Sequence, residues 1–145
     1  MQQSFLILAD GAEAANGKIH ILGGGVDQHL AQAFPASLNV DIACSFTVAW
    51  HETERPIEVE LAIVDEDGED AIRIGLEAVV GRPPGAHPGQ EIRSQVAIKG
   101  PFPIPHPGAY LLVMRLEGVD QVPPFRFRVD QAMPQGPEQA PGFLQ

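Results

Sequence analysis

The sequence predicts an all-β protein, a two-sheet β-sandwich of about eight antiparallel strands with little helix. Three observations predict it. Apolar and polar residues alternate strictly from Leu38 to His51, the period of a strand with one buried face. The stretch IEVELAIVDEDGEDAIRIGLEA, residues 57 to 78, folds onto itself about Asp67-Gly68 with every apolar pair on one face. Fourteen prolines and fifteen glycines in 145 residues break the chain at short intervals, which suits many short strands. A single layer would leave its apolar rows wet, whereas two sheets about 10 Å apart bury them.

In chain order, Ser4 to Ala9 and Lys18 to Leu22 read as a pair of strands. Gly23-Gly24-Gly25 follows. A phosphate loop would need a set glycine spacing and a helix, but neither G-x-G-x-x-G nor G-x-x-x-x-G-K-[ST] can be read, and no Lys or Arg follows before Arg55. The glycines are therefore read as a structural bend. DQHLAQAF, residues 27 to 34, is read as a helical turn or two before Pro35. In the strand from Leu38 to His51, Cys44 falls on the apolar side and is expected to be a packed thiol.

The central hairpin takes its turn from Asp67-Gly68, a pair that type I′ turns prefer. Its register sets Ile63 against Ile72, Leu61 against Ile74, Val59 against Leu76 and Ile57 against Ala78. It also sets Glu66 against Glu69 and Asp65 against Asp70. A slip of one residue would break every apolar pair. Ile92 to Ile98 is the next strand, between the proline-rich loops GRPPGAHPGQ (81 to 90) and GPFPIPHPGA (100 to 109).

A last hairpin pairs Leu112 with Phe127 and Met114 with Phe125 through a loop at Gly118 to Gln121. Pro123 and Pro124 cannot donate to a ladder, so its second strand starts at an edge or after a bulge. The domain is expected to span 1–130 and the aperiodic stretch 131–145 to be a disordered tail. Tyr110, placed after a proline loop and before a strand, a turn and a last strand, resembles the corner tyrosine of immunoglobulin-like domains. The sandwich is thus expected to be immunoglobulin-like.

Nine basic residues against nineteen acidic ones give a net charge of −10. Such a surface repels phosphate backbones and anionic lipid heads, so neither nucleic acid nor membrane is expected as a partner. The opening MQQSFLILADG lacks the basic region and long apolar core of a secretory signal. No apolar run reaches the roughly 18–20 residues that span a bilayer. One cysteine cannot form an internal disulfide, and a cytoplasmic location is expected.

LAD…A…NGKIHILGGG, the strand ending AWHE…RP, the turn VDEDG, the loop VGRPPG…PG and the ending PG-Y…L-G…FRV occur in that order. Together they resemble a family of small bacterial β-sandwich proteins classed as a domain of unknown function, over roughly residues 5 to 130. The resemblance implies a fold and a bacterial cytosolic setting. It implies no activity, cofactor or catalytic residue.

The acidic run Asp65, Glu66, Asp67, Glu69 and Asp70 is the best chemical candidate. Like charges across a ladder repel, and a hard cation such as Ca²⁺ would relieve them. The glycine spacing is not that of an EF-hand, and water screens an exposed tip, so a solvated turn is the first reading and weak Ca²⁺ or small-ligand binding the alternative. His20, His29, His51, His87 and His106 form no metal-ligand pattern, and HETE (51 to 54) is not H-E-x-x-H. Ser4, Ser37, Ser45 and Ser94 lie outside any G-x-S-x-G. A hydrolase assembled from His51, Glu52 and loop carboxylates is the third reading.

No catalytic, cofactor-binding or metal-ligating residue is therefore assigned, no cofactor is expected, and the protein is not expected to be an enzyme. The proline loops are stiff and lose little entropy on binding. Phe102 and Ile104 either plug the core or face outward, with plugging the first reading. Val79, Val80 and Leu111 lie opposite the inward faces and are candidates to cover a sheet edge or a second subunit. The expected function is a noncatalytic protein-interaction module binding through end loops or a sheet face, its partner another protein or a second copy of the chain.

Overall fold

The computed structural model describes residues 1–133, and most of them lie in strands. One sheet holds, in spatial order, β2 (Lys18–Gly24), β1 (Gln2–Ala15), β5 (Asp41–Val48) and β8 (Ile92–Ile98). The other holds β3 (Gln28–Ala31), β12 (Phe125–Gln131), β10 (Gly108–Leu116), β6 (Pro56–Val64) and β7 (Asp70–Val79), with the short β11 (Val119–Asp120) beside β10. β4 (Ala36–Leu38) and β9 (Phe102–Ile104) form a separate small pair. The protein is all-β, its one helical element being the 3-10 turn Trp50–Glu52 among the described residues. None of its described helices is long and apolar enough to cross a membrane.

Alternation builds the core. Leu6, Leu8, Ile42, Cys44 and Phe46 from the first sheet and Leu61, Ile63, Tyr110, Leu112 and Phe127 from the second join one buried cluster. Each such side chain contributes about 1.5–3 kcal/mol when fully buried. The pairing of β5 with β8, and of β6 with β10 and β12, matches strands B–E and C–F–G of an immunoglobulin-type sandwich. Tyr110 then falls near the start of the F position, and its hydroxyl donates to the His106 carbonyl at 2.5 Å, as a corner tyrosine does.

The central hairpin keeps the expected core register: Ile57, Val59, Leu61 and Ile63 face Ala78, Leu76, Ile74 and Ile72. Its tip differs. The ladder shifts by one residue after Ile63, so Val64 faces Asp70. Asp65 N–H donates to the Glu69 carbonyl at 2.9 Å and Gly68 N–H to the Asp65 carbonyl at 3.0 Å. Gly68 has φ 82°, so the loop is a three-residue turn closed by a glycine bulge rather than type I′. Glu66 no longer faces Glu69, nor Asp65 Asp70; Asp65 instead lies opposite Glu69.

The C-terminal hairpin also departs from expectation. It turns tightly at Glu117-Gly118, both at positive φ (50° and 81°), and β11 pairs back with Leu116 opposite Val119. Two further residues are then taken up before β12, so Tyr110 faces Phe127 and Leu112 faces Phe125. Pro123 and Pro124, lacking N–H donors, cannot continue the ladder there. An offset of two preserves which side chains point inward, so the apolar faces hold although the partners change.

Other corrections concern short elements. Residues 27 to 34 form no helix; Gln28–Ala31 is β3, parallel to β12, so the strands are not all antiparallel. An edge strand beside β12 gives those backbone groups partners that an isolated turn ending at Pro35 could not. The alternating run from Leu38 to His51 is divided: β5 covers Asp41–Val48, and Trp50 and His51 enter the 3-10 turn. Four short strands (β3, β4, β9 and β11) raise the count above eight. β12 continues to Gln131, and the rest of the expected tail, 134–145, lies outside the described residues.

β1 is longer than its apolar run. Past Ala9 it continues with β2 as a hairpin arm turned at Asn16-Gly17, with φ 55° and 74°, the signature of a type I′ turn. Both β1 and β2 contact β8, although β5 lies between β1 and β8. Strands two places apart are about 9.5 Å apart, so the arm bends back across the outer face of the sheet. Ala43 and Ser45, which point away from the core, are accordingly buried. Ser45 Oγ and Gln95 Oε1, on facing residues of β5 and β8, are buried without hydrogen-bond partners.

Asp41 fixes the bend. Its Oδ2 accepts from Ala12 N–H at 2.9 Å and from Lys99 Nζ at 3.0 Å, and its Oδ1 from Gly100 N–H at 3.1 Å. Lys99 also donates to the Ala12 carbonyl at 2.6 Å. Burial alone would raise the Asp41 carboxyl, but these donors outweigh it and hold it below the usual carboxylate range. The triple glycine serves the same region: Gly25 N–H donates to the Leu8 carbonyl at 2.8 Å, and a Cβ on Gly23 would lie 2.2 Å from Asp10 Oδ2. The glycines bend the chain, as expected.

Candidate functional site

The fold brings the acidic tip and the second proline loop to one corner. Asp65 Oδ1 accepts from the N–H groups of Asp67 and Glu69, each at 2.9 Å, and its Oδ2 lies 3.4 Å from His106 Nε2. Glu66 Oε1 accepts from Ala109 N–H at 2.9 Å. The His106 ring stacks on Tyr110 with centroids 5.7 Å apart. The Asp65 carboxyl is held below its usual range, first by the Glu69 N–H and also by Asp67 and His106. His106 is pushed up, first by its bond to the Pro107 carbonyl and then, against some desolvation, by Asp65.

These carboxylates thus turn toward the protein's own donors. Asp70 does the same, 3.2 Å from Arg73 and 3.8 Å from Arg115. Among the described residues no group of three or more His, Cys, Asp or Glu is gathered as a metal site. His51 and Glu52 share the 3-10 turn, but Glu52 Oε1 accepts from Ala49 N–H at 2.8 Å and lies 3.2 Å from the Met1 ammonium. The Ala49 N–H is the leading cause that keeps the Glu52 carboxyl low. His20, His29 and His87 lie elsewhere on the chain and do not join His51 or His106 in any such group.

Phe102 and Ile104 plug the core, as first read, and both are buried. Cys44 is fully buried and desolvation pushes its thiol up to about 12. Val80 is buried in the core rather than covering an edge, while Val79 is exposed. Leu111 remains half-buried on the outer face of the larger sheet. There it faces Val64 of β6 on one side and Arg126 of β12 on the other.

That row floors a groove of about 510 Å³. Asp65 and Glu66 stand on one rim and Asp27 and Gln28, at the start of β3, on the other. Arg128 also lines it but is engaged by Asp130 at 3.0 Å. Among the described residues, Arg126 makes none of the ion pairs that occupy Arg55, Arg73, Arg82, Arg115 and Arg128. The groove therefore combines an apolar floor, a free guanidinium and a carboxylate rim on rigid strands. Arg126 and Arg128 were missed in the sequence. The alternation in FRFRV, residues 125 to 129, was their signal, since inward Phe125, Phe127 and Val129 force both arginines outward.

A family model described as a family of unknown function (DUF6941) matches residues 4–129. No curated protein matches the chain.

Proposed function

The chain belongs to this family of unknown function, DUF6941, and on the geometry of its larger sheet we propose that it is a noncatalytic protein-recognition module. Its binding face is the groove across β6, β10 and β12. The observation that carries the reading is the row Val64–Leu111–Arg126, which sets an apolar centre beside an arginine that has no carboxylate partner among the described residues. Interface anchors have that composition: an apolar contact that excludes water, with arginine among the residues enriched at the centre and charge at the rim. All three side chains stand on paired strands, so little conformational freedom is lost when a partner docks. A reducing cytoplasmic setting fits the single buried thiol.

Affinity capture from a lysate of the source organism tests the proposal. The full chain is compared with Leu111→Glu and Arg126→Glu, and with Leu22→Glu on the other sheet as control. A protein retained by the wild type and the control but lost from both groove variants is the expected result. Equal retention by all four chains, or no retained protein, would overturn it.

A further inference from the structure

Six of the nine lysines and arginines have a carboxylate within 4 Å: Arg55, Arg73, Arg82, Lys99, Arg115 and Arg128. Among the described residues Lys18, Arg93 and Arg126 have none. In a chain with nineteen carboxylate side chains, a cation without a counter-charge is unusual, and two of these three share one place. Lys18 and Arg93 line a cleft of about 590 Å³ between the turn of the β1–β2 arm, the chain leaving β7 and the start of β8. The bend clamped by Asp41 is what carries Lys18 across the sheet to Arg93.

No aspartate or glutamate lines this cleft, whereas Arg82 does. The Arg82 guanidinium lies 4.0 Å from the Trp50 ring centroid and donates to Thr53 Oγ1 at 2.7 Å and to the Trp50 carbonyl at 3.2 Å. Glu54 is its counter-charge at 3.4 Å. Arg82 is therefore fixed and partly neutralised, while Lys18 and Arg93 are free to take a ligand. With cationic and no acidic side chains in its lining, the cleft favours an anion over a cation. Its volume is that of a small-molecule site.

We infer that the cleft binds a small anion carrying two or more negative charges as phosphate or clustered carboxylate groups, with Lys18 and Arg93 as direct contacts. The guanidinium suits either group through paired N–H donors, and the ammonium adds a point charge. This site lies away from the groove on the larger sheet, and its occupancy does not depend on the recognition proposed there.

The test is calorimetric titration of the full chain with inorganic pyrophosphate and, separately, with citrate, at ionic strength held constant with NaCl. Saturable heat is expected with at least one probe. Pyrophosphate alone assigns the site to phosphate, citrate alone to carboxylates, and both to charge density. Lys18→Gln and Arg93→Gln should each weaken binding about tenfold or more, as loss of a charge-assisted contact does, while Arg55→Gln, whose guanidinium faces Glu117 away from the cleft, leaves it unchanged. Absence of saturable heat with both probes, or affinity unaltered in Lys18→Gln and Arg93→Gln, overturns the inference.

Discussion

Asp41 accepts the backbone N–H of Ala12 at 2.9 Å, and this bond fastens the bend of β1 to the strand it crosses. The same carboxylate takes the Gly100 N–H at 3.1 Å. Removing it in Asp41→Ala strips two backbone donors of their partner, with an expected cost of about 2–4 kcal/mol in urea unfolding. Amide exchange along the arm should accelerate more than in the core. Because the folded carboxyl is lower than the unfolded one, its stabilisation is complete above about pH 5 and is lost as pH falls through the folded value. Wild type should therefore lose more stability than Asp41→Asn on acidification to about pH 3. Parallel acid profiles would contradict the clamp.

Gly108 sits at φ 145°, and a Cβ there would lie 2.6 Å from Glu66 Oε1. Gly108→Ala must strain the backbone and push Glu66 off the Ala109 N–H, for an expected loss of about 2–4 kcal/mol. Glu66→Ala alone should cost about 1 kcal/mol. The double variant should cost less than the sum, because the side chain that clashes is gone. Strict additivity would separate the two residues.

The corner tyrosine gives a smaller effect. Tyr110→Phe keeps the stacking on Phe127, with centroids 5.7 Å apart, but loses the hydroxyl bond to the His106 carbonyl. About 1 kcal/mol is expected by chemical denaturation. A variant as stable as wild type would mean that the bond contributes nothing net.

Cys44 reports on the core directly. With its thiol buried and pushed up to about 12, it should resist a bulky disulfide reagent at neutral pH until the chain unfolds. Labelling should track the unfolding transition in urea. Immediate stoichiometric reaction of the native protein would contradict the packing of β5 between β1 and β8.

The core was legible because burial repeats every second residue: the four apolar pairs from Ile57–Ala78 to Ile63–Ile72 follow from pattern alone. Turns were less legible. Asp67-Gly68 satisfies two turn types; in the fold the Asp65 carboxylate accepts the Asp67 and Glu69 N–H groups inside the turn, and Glu66 reaches Ala109, 43 residues away. The arm was missed because Ala-Asp-Gly-Ala-Glu-Ala-Ala (9 to 15) has no apolar alternation. Its partners are the outer face of its own sheet and Asp41. The Asn16-Gly17 turn was the available signal. The groove was half-visible through Leu111, but its arginine depended on the register of β12, which the two prolines before it displaced by two residues.

Photo-crosslinking in living cells measures the recognition face most directly. A benzophenone amino acid is placed at Leu111 in the groove or at Leu22 on the opposite sheet. A discrete adduct from position 111, lost when Arg126→Glu is added and not formed from position 22, is the expected result. No adduct from position 111, or the same adducts from both positions, would contradict the assignment of the β6–β10–β12 groove as the binding face.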